Sequence, residues 1–181
     1  MKYLIKEHIL KLHLGLIEKL NENYQVERLG SFIHIISPKK ADVELKIHKR
    51  TALTLMAATH GDESVGVNIL NHFLFCLLQG KVKLLFPLGM ALGNPEAFRL
   101  DKRFIAKDLN RSFDAKKKQT YEEQRAHELS VLLEESSWFI DFHQTIMPSL
   151  EPFFIFPFTS RGLQFAQSIN SKLSVVTHWG K

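Results

Sequence analysis

The segment Thr54–Gly66, TLMAATHGDESVG, closes an apolar run on His60 and places Glu63 three residues later. An imidazole and a carboxylate at that spacing could share a divalent metal, or simply form a polar turn between a strand and a helix. With nine His and thirteen Glu among 181 residues, about 0.6 such pairs arise by chance, so position must decide. Here the pair lies where a buried strand meets the helix that follows, and in open α/β sheets that carboxyl end is where ligands bind. A second apolar run, WFIDFHQT, ends on His143 in the same manner. If the two strands are parallel, His60, Glu63 and His143 converge on one rim. Two imidazoles and one carboxylate leave a position open, which is the pattern of a catalytic zinc site rather than a closed structural one. Taken singly, His143 equally suits a packing or loop histidine. Asp141, two residues earlier, shares its strand face. It could orient His143 from behind or serve as a solvated or capping carboxylate.

A third cluster is RFIAKDLNRSF, Arg103 to Phe113. A guanidinium can fork onto a carboxylate, and Asn110 can donate beside it; by itself the segment also reads as a solvated basic loop. The remaining histidines (8, 13, 34, 48, 72, 127 and 178) fall in helix or strand patterns and read as surface or packing residues. Cys76, inside an apolar helix pattern, reads as inert filler. GDESVG lacks the G-x-S-x-G spacing of a serine nucleophile elbow.

These residues need a scaffold. Residues 1–20 carry apolar side chains at Ile5, Ile9, Leu12, Leu16 and Leu20, the spacing of an amphipathic helix. YQVERLG, SFIHIIS and DVELKIHK then read as short strands of an antiparallel meander. TALTLMAA (51–58) is a continuous apolar strand of the kind buried on both faces of a parallel sheet. A helix over 63–80 closes on Gly80 as C-cap, and KVKLLFPLG (81–89) is a second buried strand. The helix from Thr120 carries a capping box with Glu123, and SWFIDF (137–142) is a third strand. PFFIFPF, SRGLQFAQSINSK and LSVVTHW continue the pattern as strand, helix and strand. Buried strands alternating with helices predict an α/β fold, with a mostly parallel or mixed central sheet flanked by helices. Residues 1–50 lead into the sheet and 51–181 form the metal-binding core, treated as one domain.

Composition narrows the function classes. At 45% hydrophobic and 24% charged residues, the chain can bury a core, and wholesale disorder is excluded. No apolar run approaches the ~18 residues of a membrane span. A single cysteine excludes an internal disulfide or a multi-cysteine zinc knuckle, and a reducing cytoplasm is the expected home. The net charge of +5 can draw in a small anion. No nucleic-acid module is visible, so no nucleic-acid partner is expected.

In order along the chain stand a strand with HGDE, GNPEAF, RFIAKDLNRSF, a helix with RAHEL, and a strand with DFH. Over about residues 51–156 this series resembles the succinylglutamate desuccinylase/aspartoacylase family, a branch of the zinc carboxypeptidase superfamily. The resemblance implies one zinc per chain, held by His60, Glu63 and His143. It implies that Arg103 polarises the scissile carbonyl and that Asn110 and Arg111 grip the substrate's carboxylate. The implied reaction is hydrolysis of the amide bond of a small anionic N-acyl amino acid, zinc serving as Lewis acid and as activator of water.

One feature departs from the family. Its general-base glutamate comes from a segment well beyond the third ligand, and a β-rich domain follows. Here the last glutamate is Glu151, eight residues past His143 and a poor candidate for that base. The expectation is a chain truncated at its C-terminus, carrying the metal half of a catalytic domain. Two other functions share these residues: a zinc carboxypeptidase or murein-peptide amidase, and a non-catalytic zinc-binding domain.

Overall fold

The computed structural model describes residues 2–40, 49–145, 149–172 and 174–177. They fall into two compact units, Met1–Gln144 and Thr145–Lys181. In the first, α1 (Lys2–Leu20) precedes β1 (Tyr24–Gly30) and β2 (Ile33–Pro38), then β3 (Thr51–Ala57), α2 (Val65–Leu78) and β4 (Leu88–Leu92). The short α3 (Pro95–Arg99), a 3-10 turn (Leu109–Arg111), α4 (Tyr121–Glu134) and β5 (Ser136–Phe142) complete it. The five strands form one sheet in the order β1-β2-β4-β3-β5. β1–β2 and β2–β4 are antiparallel, while β3 pairs in parallel with both β4 and β5. The sheet is therefore mixed, with its parallel part around β3.

Helices cover both faces, because successive strand residues point to opposite sides. Leu55 and Ala57 face a core shared with Leu16 and Leu20 of α1 and Leu70 and Leu74 of α2. Met56, Ile33 and Ile35 face a second core with Leu109 and with Leu129 and Leu132 of α4.

The α1 face differs from the apolar stripe predicted. Of the predicted stripe, Leu16 and Leu20 are buried and Ile9 partly so, while Ile5 and Leu12 are exposed and Lys6, Leu10, His13 and Ile17 are buried beside them. The helix is rotated because Lys6 and His13 find polar partners inside: His13 Nδ1 lies 2.6 Å from Asn71 Oδ1. The second strand starts later than predicted, at Leu88. Pro87 has no N–H to give a ladder, although its carbonyl still accepts from Ala52 N at 3.1 Å. β5 is only half-buried, as befits the last strand in the sheet order. Gly80 follows α2 with φ +66°, and its N–H donates to Leu77 O, the left-handed stop predicted for it. The capping box of α4 is present, Thr120 and Glu123 each bonding the other's backbone N–H. The meander's third strand, DVELKIHK, falls largely outside the described residues.

In the second unit β6 (Phe153–Phe156), α5 (Ser160–Ile169) and β7 (Ser174–Thr177) form a βαβ arrangement. β6 and β7 pair with each other in parallel as a two-stranded sheet. No helix among the described residues is long and apolar enough to cross a membrane.

Candidate metal centre

Parallel register brings the two histidines together. Ala57 of β3 stands opposite Phe142 of β5, so the chain leaves both strands at the same rim. β3 is followed by Ala58, a non-glycine at φ +56° whose carbonyl accepts from Asn94 N at 2.7 Å. The turn that follows returns Glu63 N to His60 O at 3.2 Å, which brings the Glu63 carboxylate back to the Nδ1 edge of the His60 ring.

His60, Glu63 and His143 each offer a ligand atom, and these atoms lie within 4.8 Å of one another. His60 Nδ1 lies 2.8 Å from Glu63 Oε1, and His143 Nδ1 lies 3.2 Å from Glu63 Oε2. Gln144 N donates to the same Oε2 at 2.8 Å. The second nitrogen of each ring faces another carboxylate. His143 Nε2 donates to Asp141 Oδ2 at 2.7 Å, and that oxygen also accepts from Thr59 Oγ1 at 2.7 Å. His60 Nε2 is ringed by Arg103 Nη2 at 3.1 Å, Asp108 Oδ1 at 3.3 Å and Asn110 Nδ2 at 3.4 Å.

The donor set suits a divalent metal such as zinc. Two imidazole nitrogens and a carboxylate converge, and each imidazole has a carboxylate behind it, the outer-sphere arrangement that fixes ring tautomer and orientation. With its Nδ1 given to a metal, His60 would carry its proton on Nε2 for Asp108 to accept, and the Arg103 and Asn110 N–H groups beside it would turn to other acceptors.

The charges are already poised. Burial alone would raise the Glu63 carboxyl, but hydrogen bonds from His143, His60 and the Gln144 N–H hold it well below the usual carboxylate range. His143 is pushed up to about 10, first by its bond to Asp141 and then by Glu63, against the effect of burial. As ions the two pair with each other, and a metal held here would take the place of the His143 Nδ1 proton that now faces Glu63.

The basic loop reaches this rim only in part. Arg103 does so: besides His60, its Nη1 lies 3.6 Å from Glu63 Oε1. Asn110 sits on the 3-10 turn beside His60. Arg111, on the same turn, is exposed, and no hydrogen bond or ion pair ties its side chain to the cluster. Glu151 is exposed in the second unit. Of the other histidines, His8, His72 and His127 are exposed, His13 and His34 are buried, and His48 and His178 lie outside the described residues.

Sequence reasoning did not single out Asp108 or Glu122. Asp108 caps the 3-10 turn, accepting from Asn110 N at 3.0 Å; its place just before Asn110 was the available signal. Glu122 is fully buried. It accepts from Asn94 Nδ2 at 3.0 Å and from three consecutive amides, Ile105 N, Ala106 N and Lys107 N, at 2.6, 3.1 and 3.3 Å. One carboxylate thereby fixes the loop between Arg103 and Asp108. No local pattern announces this, because Glu122 reads simply as a first-turn acid.

Comparison with known proteins agrees with this architecture. A sequence model of the succinylglutamate desuccinylase/aspartoacylase catalytic domain matches residues 49–179. A succinylglutamate desuccinylase of Serratia proteamaculans is 33% identical over 123 residues, covering 62% of this chain and 38% of the relative. One from Pseudoalteromonas atlantica is 29% identical over 142 residues, covering 70% of this chain and 41% of the relative. The chain thus spans well under half the length of these curated relatives. Among solved structures, a succinylglutamate desuccinylase from Chromobacterium violaceum superposes with a TM-score of 0.67 at 22% identity, covering 86% of this chain and 54% of that one. A metallo-carboxypeptidase from Burkholderia cenocepacia gives 0.64 at 13% identity, covering 93% and 53%; at such identities the likeness speaks for the fold. The match over residues 49–179 places the chain in the succinylglutamate desuccinylase/aspartoacylase catalytic-domain family.

Proposed function

We propose that this chain is the metal-ligating part of a cytoplasmic zinc amidohydrolase, which cleaves the amide bond of small anionic N-acyl amino acids. The observation that carries the reading is the convergence of His60, Glu63 and His143 with the Arg103 guanidinium beside them. A bound zinc would supply Lewis acidity toward the scissile carbonyl and acidify water at neutral pH. The protein's own groups do the rest. Arg103 brings positive charge to where negative charge grows on the carbonyl oxygen. Asn110 and the exposed guanidinium of Arg111 receive the substrate's carboxylate, the planar fork of Arg matching its two oxygens. Asp108 and Asp141 keep the imidazoles aimed.

A zinc carboxypeptidase or murein-peptide amidase is the second reading, favoured by the fold likeness to a metallo-carboxypeptidase. Both readings face one experiment: zinc analysis with a hydrolysis screen of N-succinyl amino acids, N-acetyl amino acids and peptides on the longest natural form of the protein. Preference for N-acyl acidic amino acids supports the first reading. Preference for peptides supports the second, and zinc binding without any turnover leaves a binding domain.

A further inference from the structure

The helix α1 lies before the residues matched by the family model, yet it sends one side chain to the metal loop. Lys6 is buried, at 6% exposure. Its Nζ donates to Gly61 O at 2.6 Å, pairs with Asp101 Oδ1 at 2.6 Å and lies 4.5 Å from the centre of the Phe98 ring. Neither Gly61 nor Asp101 is an ordinary surface position.

Gly61 stands between the candidate ligands His60 and Glu63. A Cβ there would lie 2.1 Å from Ala97 C and 2.3 Å from Phe98 N, so only glycine fits. Glycine is also the residue whose torsions are least restrained by its own sterics. Two hydrogen bonds supply the missing restraint. The Gly61 N–H donates to Arg103 O at 3.0 Å, and its carbonyl takes the Lys6 ammonium. The peptide planes on either side of Gly61 are thereby both held, one of them by a charge-assisted bond of the stronger class. Asp101, at φ +53°, occupies the left-handed region that is strained for a non-glycine residue. It forms the turn that sends the chain into Arg103. Lys6 holds that turn by its carboxylate and the metal loop by its carbonyl.

Resting on the zinc reading above, we infer that Lys6 is a positioning residue for the metal centre: from α1 it locks Gly61, and so sets the direction in which His60 and Glu63 present their ligand atoms. The lock also couples the ligand loop to the loop that carries Arg103. Lys6 touches neither ligand side chain and acts through the backbone between them.

The test compares Asp101→Asn with Lys6→Met/Asp101→Asn in the full chain, so that no variant leaves the Asp101 charge facing a methionine. Zinc affinity is measured by chelator competition, the cobalt(II)-loaded absorption spectrum is recorded, and urea unfolding is followed in the metal-free state. The double variant should bind zinc ~10–100-fold more weakly than Asp101→Asn, the loss usual when a supporting residue of a metal site is removed. Its cobalt bands should shift while its unfolding stays cooperative. A loss short of about tenfold with unchanged cobalt bands overturns the inference. So does loss of cooperative unfolding in the double variant, which would make Lys6 a stability residue only. If the unaltered chain binds no zinc, the zinc reading falls and takes this inference with it; intact zinc binding with no difference between the variants sinks this inference alone.

Discussion

Asp141 and His143 are joined by a 2.7 Å hydrogen bond from His143 Nε2 to Asp141 Oδ2, which leaves His143 Nδ1 turned toward Glu63. The bond decides which nitrogen of the ring can serve a metal. Asp141→Asn replaces one carboxylate oxygen by an NH2 group. Asp141 Oδ1 is buried with no hydrogen-bond partner among the described residues, so neither orientation of the amide fits well. Zinc affinity in this variant should fall ~10–100-fold, as chelator competition will show. An unchanged affinity would mean that Asp141 merely terminates the strand.

Arg103 and Arg111 should separate kinetically in the whole natural protein. Arg103 lies against His60 and Glu63, where charge develops during reaction. Arg103→Ala should lower kcat by ~10²–10³-fold, the range for removal of one oxyanion-stabilising donor. Arg111→Lys should chiefly raise KM, because a lysine cannot reproduce the fork. Steady-state rates on an N-acyl acidic amino acid decide it, and equal effects on both parameters in both variants would contradict the assignment.

Glu122 gathers three consecutive amides and Asn94 into a buried carboxylate. Burial works against its ionised form, but the hydrogen bonds from Ile105 N, Asn94 and Ala106 N outweigh this and lower its pKa. Glu122→Gln would set an NH2 group against a backbone N–H. The expected cost is ~1–3 kcal/mol of stability, read from urea unfolding. Amide exchange at residues 105–107 should quicken more than exchange in β3. Uniform quickening throughout the unit would mean that Glu122 does not anchor this loop.

The first unit should weaken in mild acid. His13 and His34 are buried and both are pushed down to about 4, in each case chiefly by burial; the proximity of His13 and Arg28 adds to the effect at His34. The unfolded chain therefore takes up protons near 6.5 that the folded chain refuses until about 4. The contribution of these two histidines to stability is complete above pH 6.5 and falls as pH drops from 6.5 toward 4, by at most ~3 kcal/mol per histidine. His13→Asn or His34→Gln should flatten the pH dependence of urea midpoints over that window. A wild-type midpoint constant between pH 7 and 4.5 would refute it.

Much of the site's framework was legible because it is local. The apolar run ending on His60, the run ending on His143, the Gly80 stop and the Thr120–Glu123 box are each set by neighbours within a few residues, where periodicity and capping act. Even the meeting of His60, Glu63 and His143 followed once parallel pairing was assumed, since parallel strands end at one rim. The rest was decided by tertiary structure. Lys6 and His13 interrupt the apolar spacing of α1, and nothing near them in the chain tells which side of the helix they take. They are buried because a carbonyl at Gly61, a carboxylate at Asp101 and an amide at Asn71 wait for them. Glu122 reads as a helix-start acid until residues 105–107 fold their N–H groups around it. A polar group can go inside only when its partner is already there, and these partners lie far along the chain. The sequence by itself determined the strands, the helix ends and the candidate ligands. Only the packed structure decided which buried polar groups hold the ligand loop and the arginine loop in place.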